Sequence, residues 1–308
     1  MLQPPDHTEI EKELQIIADT IQDQYGVNLR DVLGRGAIGS VILEKINFEE
    51  LLALADETDN DRLREALERV VYVTLERSLK PAGRPDREYE KLIKRLIKSD
   101  DDVCLISFNY DLLLDRAVAD AARTNGLNWS HGMTFLAGIE FPSYKGVENP
   151  KIRLLKLHGS LNWLQCENCG HVRLYPTMKY DNIRRTSWPP CRSCSGNRFK
   201  PLLVAPTPKK LIPGPLQEAW ETATNCLHIA SNLIVIGYSF PAIDRKVRNL
   251  FLREFVVPNL YSDRRPKLTL VDRSNPTRDA IKNWMLPAVD TSVEEHCSFE
   301  EYCASLSK

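Results

Sequence analysis

Hydrophobic and polar positions change texture once along this chain. Up to about residue 100, apolar residues recur at three- and four-residue spacing over 8 to 24, 47 to 57, 60 to 80 and 87 to 98, the period of helices with one buried face. Asn47 reads as the N-cap of the second, with Glu50 placed to close a capping box. After Asp100 the apolar residues gather in short runs that end on polar residues or glycine. These runs are VCLISF (103 to 108), RLLKL (153 to 157), LLVAP (202 to 206), LIVIG (233 to 237) and KLTLVD (267 to 272). Runs of this length predict strands buried on both faces. Helical periods separate most of them, at 110 to 122, 215 to 230, 244 to 257 and 276 to 286. The alternation predicts an α/β fold: a Rossmann-like, mainly parallel sheet with helices on both faces. The expected organisation is a helical N-terminal segment (1–100), a Rossmann-like domain in two stretches (101–165 and 201–308) and a small insertion between them (166–200).

Cysteine spacing gives the insertion a chemistry. Four of the eight cysteines form two tight pairs, Cys166/Cys169 and Cys191/Cys194, while Cys104, Cys226, Cys297 and Cys303 stand apart. Two C-x2-C knuckles offer four thiolates, the tetrahedral shell that zinc prefers and that magnesium or calcium does not. The strand-like HVRLY lies between them, so the insertion reads as a zinc ribbon. With all four positions taken by sulfur, the zinc is expected to be structural, holding together a module too small for a core of its own.

Composition narrows the setting. A chain of 308 residues, 43% hydrophobic and 27% charged, suits a globular protein with one sizeable core and a smaller module. Its 41 basic and 42 acidic side chains give a net charge of −1, with no overall pull toward nucleic acid or an anionic membrane. Arg173, Lys179, Arg184, Arg185, Arg192, Arg198 and Lys200 lie in or beside the ribbon with Tyr175, Tyr180 and Trp188 interleaved. That pattern is the weak case for nucleic acid, and such a run is more often a solvated face. No signal-like or membrane-spanning apolar stretch stands in the sequence, so a cytoplasmic location is expected.

Ligands of such sheets bind beyond the carboxyl ends of the strands, and those positions are polar here. They hold Asn109-Tyr110-Asp111, His158-Gly159-Ser160, Gly237-Tyr238-Ser239-Phe240-Pro241 and Asp272. Each has a plain structural reading. Asn109 or Asp111 caps the next helix, Gly159 and Gly237 allow tight turns, Asp244 is the N-cap of RKVRNLF, and His158 is a strand-end histidine satisfied by the backbone. The alternative is that they converge on one site.

The order SFNYD, KLHGSLNW with the paired CxxC knuckles, IGYSFP and LVD resembles the sirtuin-like family over roughly residues 100 to 275. FNYD and GYSFP resemble the divergent bacterial defence-associated branch more than the histone-deacylase branch. The resemblance implies NAD as cosubstrate and a structural zinc. It also implies residue roles: Asn109 and Asp111 at the nicotinamide end, His158 as general base, Gly159, Gly237 and Ser239 near the cofactor and its phosphates, and Asp272 on the adenosine ribose. Asn109 can orient a water or a ribose hydroxyl without adding charge, and a histidine near neutrality can take its proton.

One family feature is missing. The Gly-Ala-Gly-x-Ser phosphate loop does not occur, and GRGAIGS (Gly34, Gly36, Gly39), its nearest counterpart, is followed by VILE rather than by a helix. The layout suggests a chain that begins downstream of that loop. Three readings stand open. They are NAD hydrolysis to nicotinamide and ADP-ribose, NAD-dependent deacylation of an acyl-lysine protein, and a catalytically impaired binding or oligomerisation module. A defence-system partner or a homo-oligomer is compatible with each.

Overall fold

The computed structural model describes residues 15, 19, 63–64, 66–67, 87–98, 102–133, 135, 150–174, 189–204, 212–242, 244–263 and 265–306. The chain divides into two compact units, one of residues 1–81, 179–184 and 205–211, the other of 82–178, 185–204 and 212–308. In the first unit the described residues are helical, as the periodicity predicts. Leu63, Ala66 and Leu67 are fully buried there, at the i, i+3, i+4 spacing of one helix face. The Asn47 cap, Glu50, and the glycines of GRGAIGS lie outside the described residues.

The second unit holds the α/β architecture. Its order is α1 (Arg87–Lys98), β1 (Val103–Ser107), α2 (Leu113–Asn125), β2 (Trp129–Ser130), β3 (Ile152–Lys156), β4 (Gly159–Cys166), β5 (Val172–Leu174) and β6 (Phe199–Leu203). There follow α3 (Gly214–Ile229), β7 (Asn232–Ile236), α4 (Arg245–Phe251), a π-turn (Leu252–Val256), α5 (Val257–Asn259), β8 (Lys267–Val271), α6 (Asn275–Met285), β9 (Glu294–His296) and α7 (Phe299–Ser305). Two three-stranded parallel sheets, β1-β3-β2 and β7-β8-β9, carry the Rossmann-like character, and β5-β4-β6 is antiparallel.

Alternation along the strands explains the layers. Ile152 and Leu154 of β3 pack with Ala117, Val118 and Ala121 of α2 and Ile93 of α1, while Leu155 and Leu157 enter the cluster built on α3. The apolar face of α3, Leu216, Ala219, Trp220, Ala223 and Leu227, has helical spacing. Val235, Leu268 and Leu270 of the second parallel sheet join that same cluster, and Val271 turns the other way to meet Leu92 of α1 and Tyr302 of α7. The two parallel sheets thus share both covering layers, as the doubly apolar strands require.

Local chemistry sets the helix ends. Gly126 ends α2 with φ 62°, its N–H donating to Ala122 O. Ser274 and Ser298 cap α6 and α7 by accepting from Thr277 N and Glu301 N. The helical period read at 244 to 257 is interrupted by the π-turn. Pro258 sits two residues beyond it, and a proline ring displaces the carbonyl four residues back, at Glu254 within the turn, which a wider turn accommodates. The run at 202 to 206 differs from expectation: its described part belongs to β6, antiparallel to β4 in the ribbon sheet. A short apolar run does not encode strand direction, and here the chain goes out along β4 and returns along β6. The short strands β2 and β9 carried no readable pattern.

Candidate active site

Register brings the polar turns together. Ser107 is level with Lys156 across β1 and β3, and Ile236 is level with Val271 across β7 and β8. Asn109 and His158 therefore leave neighbouring strands at one height, as do Gly237 and Asp272. Ring contacts join the two pairs. Phe108 lies 5.2 Å from the His158 ring and stacks on Tyr238 at 4.2 Å, and Tyr110 lies 6.2 Å from His158. The residues on either side of Asn109 thus border the histidine, while Asn109 itself is exposed.

His158 is 3% exposed, with Nε2 2.9 Å from Asp244 Oδ2. Asp244 is wholly buried and does more than cap a helix. Its Oδ1 accepts from Val247 N at 3.4 Å in the capping role, and its Oδ2 also accepts from the Tyr238 hydroxyl at 3.1 Å. The turn that delivers it is unusual, because buried Phe240 adopts φ 51°, a left-handed conformation rare for a bulky residue. Packing against Tyr238, Phe251 and Trp284 holds Phe240 there, and its carbonyl accepts from Arg248 Nη1.

A second buried network underlies the Asn109-Tyr110-Asp111 turn. Lys156 sits on the α2 face of β3, where the apolar row of Ile152 and Leu154 would continue, and is 1% exposed. Its ammonium meets Asp115 Oδ2 at 2.9 Å and Ser160 Oγ at 2.8 Å, and donates to the carbonyls of Tyr110 and Asp111. His131 stands beside it, with Nδ1 3.1 Å from Leu154 O and Nε2 3.7 Å from Asp115 Oδ1. Burial pushes the His131 pKa down to about 4, and the nearby Lys156 charge acts the same way against the pull of Asp115.

The other expected site residues divide between structural and open positions. Asp111 Oδ1 accepts from Leu113 N at 2.9 Å, so one oxygen starts α2. Gly159 has φ 84°, and a Cβ there would lie 1.9 Å from Leu202 O; the close approach of β6 accounts for this glycine. Gly237 has φ 61° with nothing among the described residues within 4 Å of the Cβ position, and its N–H is spent on Val271 O. Ser239 is exposed. Asp272 Oδ1 accepts from Ser274 N at 2.8 Å.

Cys166, Cys169, Cys191 and Cys194 come together, with all four sulfurs within 4.8 Å of one another and the Cys166–Cys194 and Cys169–Cys191 pairs at 3.6 Å. Tetrahedral thiolates about 2.3 Å from zinc stand roughly 3.8 Å apart, so the set fits a zinc ion, which would supply cross-linking alone. Arg173 braces the approach to the second knuckle. It donates to the carbonyls of Pro189 and Pro190 and lies 4.4 Å over the Phe199 ring.

Sequence reasoning missed Lys156 and the second role of Asp244. The signals were present: a lysine inside an apolar strand, and an aspartate seven residues beyond Gly237, close enough to fold back on the strand ends. Among the described residues no helix is long and apolar enough to cross a membrane.

No protein-family model and no curated protein matches this chain. Among solved structures it is similar to one of the Sir2 enzymes solved for their mechanism and regulation (16% identity, 97% of this chain and 96% of that one, TM-score 0.46). It is also similar to a mutant Sir2 homologue in complex with ADP-ribose (15%, 86% and 82%, 0.47) and to Sir2Tm bound to a propionylated peptide (16%, 79% and 78%, 0.44).

Proposed function

We propose that this protein is a sirtuin-like enzyme that cleaves the nicotinamide–ribose bond of NAD, with water as the nucleophile, giving nicotinamide and ADP-ribose. The observation that carries the reading is the buried His158–Asp244 pair beside the exposed Asn109 at parallel-strand ends. Cleavage builds positive character on the ribose, and a neutral amide can hold the attacking water without opposing that charge. His158 takes the proton from the water as its oxygen bonds the anomeric carbon. The carbon–nitrogen bond breaks, its electron pair leaves with nicotinamide, and the proton passes from His158 to solvent. Gly237 and Ser239 supply a surface for the phosphates, Asp272 a carboxylate for a ribose hydroxyl, and the four clustered cysteines a site for structural zinc. The defence-type resemblance of FNYD and GYSFP favours water over an acyl-lysine carbonyl, in a cytoplasmic NAD hydrolase serving a defence system.

The test is incubation of the purified full chain with NAD, with and without acylated peptide, following nicotinamide and ADP-ribose. Release of both without peptide is expected, falling by about 10²-fold or more in His158→Ala and in Asn109→Ala. Nicotinamide release that requires the peptide would assign deacylation instead, and no product under either condition would overturn the enzyme reading.

A further inference from the structure

We infer that Cys226 and Cys104 form a redox-active dithiol at the amino-terminal end of β1, in which Cys226 attacks hydrogen peroxide and Cys104 resolves the product to a disulfide. Neither the proposed NAD chemistry nor the four clustered cysteines enters into it.

Alternation along β1 and β3 places the first thiol. Phe108, Ile106 and Cys104 all pack against the cluster built on α3, as do Leu157 and Leu155 of the neighbouring chain. Cys104 is level with Arg153 across β1 and β3, and side chains level across parallel strands share a face. Where the two apolar rows under α3 run out, a thiol and an arginine therefore follow.

Two contacts fix the run of α3 over these rows. Trp220 Nε1 donates to Leu157 O at 3.1 Å, and a Cβ on Gly132 would meet both Leu155 and Thr222. The helix thus runs back along β3, toward the start of the strand. Four residues past Thr222, about 6 Å along the helix, stands Cys226. Two residues before Leu155, roughly 7 Å along the strand, stands Arg153, with Cys104 beside it. The two thiols meet there as hydrogen-bond partners.

Their surroundings give them different roles. Cys226 is half-buried, within reach of a small oxidant. The Cys104 hydrogen bond, with the Arg153 charge, brings its thiol down to about 7, against burial and the Asp102 carboxylate. The same hydrogen bond and burial push the Cys104 thiol up, so it keeps its proton. The Cys226 thiolate attacks one peroxide oxygen, the O–O bond breaks, and hydroxide leaves to take up the proton Cys226 gave up. Sulfur is oxidised to the sulfenic acid. The Cys104 sulfur then bonds the Cys226 sulfur as the S–O bond breaks, and its proton leaves with the hydroxyl as water. Peroxide is reduced by two electrons to water, and α3 is tied to β1.

The test treats the purified full chain with hydrogen peroxide in slight molar excess and quenches it. The chain is then unfolded in urea, its remaining thiols are alkylated, and its peptides are mapped by mass spectrometry without reduction. A peptide pair joined through Cys104 and Cys226 is expected, with both thiols lost to alkylation and both restored by dithiothreitol. Cys104→Ser, whose hydroxyl still donates to Cys226, is expected to stop at a Cys226 sulfenic acid trapped by dimedone. Cys226→Ser is expected to leave Cys104 a free thiol. Both thiols recovered free from the native chain would overturn the inference without any variant, as would a cross-link that forms only when peroxide is added after unfolding. A sulfenic acid trapped on Cys104 in Cys226→Ser would overturn the assignment of the nucleophile.

Discussion

Two buried histidines, His131 and His158, lie at the ends of neighbouring strands and differ in how close their carboxylates stand. His131 is 2% exposed and His158 3%. Each has an aspartate beside Nε2, but Asp244 stands at 2.9 Å from His158 and Asp115 at 3.7 Å from His131. Asp115 is committed to the Lys156 ammonium, and its Oδ1 has no hydrogen-bond partner among the described residues. The charge that would favour protonated His131 is thus already balanced by a cation. At His158 the carboxylate accepts from the Tyr238 hydroxyl and the Val247 amide and lies 2.9 Å from the imidazole. Proximity of an acid does not make a base: Asp115 lies near His131, but its charge is shared with Lys156.

The largest effect that would break this comparison is on turnover. Replacing His158 by alanine is expected to lower the proposed NAD cleavage by about 10²-fold or more, whereas His131→Phe, which fills the same apolar surroundings of Phe135 and Trp163, should leave it within about threefold. Equal losses in the two variants would erase the distinction. Next comes stability. Lys156→Met strands the buried Asp115 carboxylate and should cost about 3–5 kcal/mol in denaturant unfolding, while Lys156→Met with Asp115→Leu should recover most of that. A double variant no better than the single would place the cost elsewhere, in the released carbonyls of Tyr110 and Asp111.

The smallest effect sharpens the comparison through pH. Neutral His131 stabilises the fold fully above its ordinary value of 6.5, and that contribution is lost as pH falls toward about 4, because in between only the unfolded chain takes up the proton. At about 1.4 kcal/mol per pH unit the loss is on the order of 3 kcal/mol. Unfolding free energies measured from pH 7 to 4 should fall by that much more in the native protein than in His131→Phe. Parallel curves would refute the assignment.

Much of this was legible beforehand because it depended on period and spacing. The strands at 103, 153, 233 and 267, the helices between them and the two cysteine knuckles follow from local pattern alone. What escaped depended on contacts distant in sequence. Lys156 reaches Asp115 across 41 residues, and His158 reaches Asp244 across 86, and nothing near either residue announces its partner. The direction of β6 was hidden for a related reason: a run of five apolar residues carries burial but not polarity of pairing. The roles of Gly159 and Gly237 likewise separate only when the carbonyl of Leu202 is in view.

One strand ties these features together. β4 begins at Gly159, beside the histidine, and ends seven residues later at Cys166 in the four-cysteine cluster. Its partner β6 returns to Val204, whose N–H meets His158 O and whose carbonyl takes the Tyr110 hydroxyl. The ribbon therefore works as a splint, roughly 23 Å long at the usual rise per residue. One end is clasped by sulfur, and the other is tied to the His158 carbonyl and the Tyr110 hydroxyl.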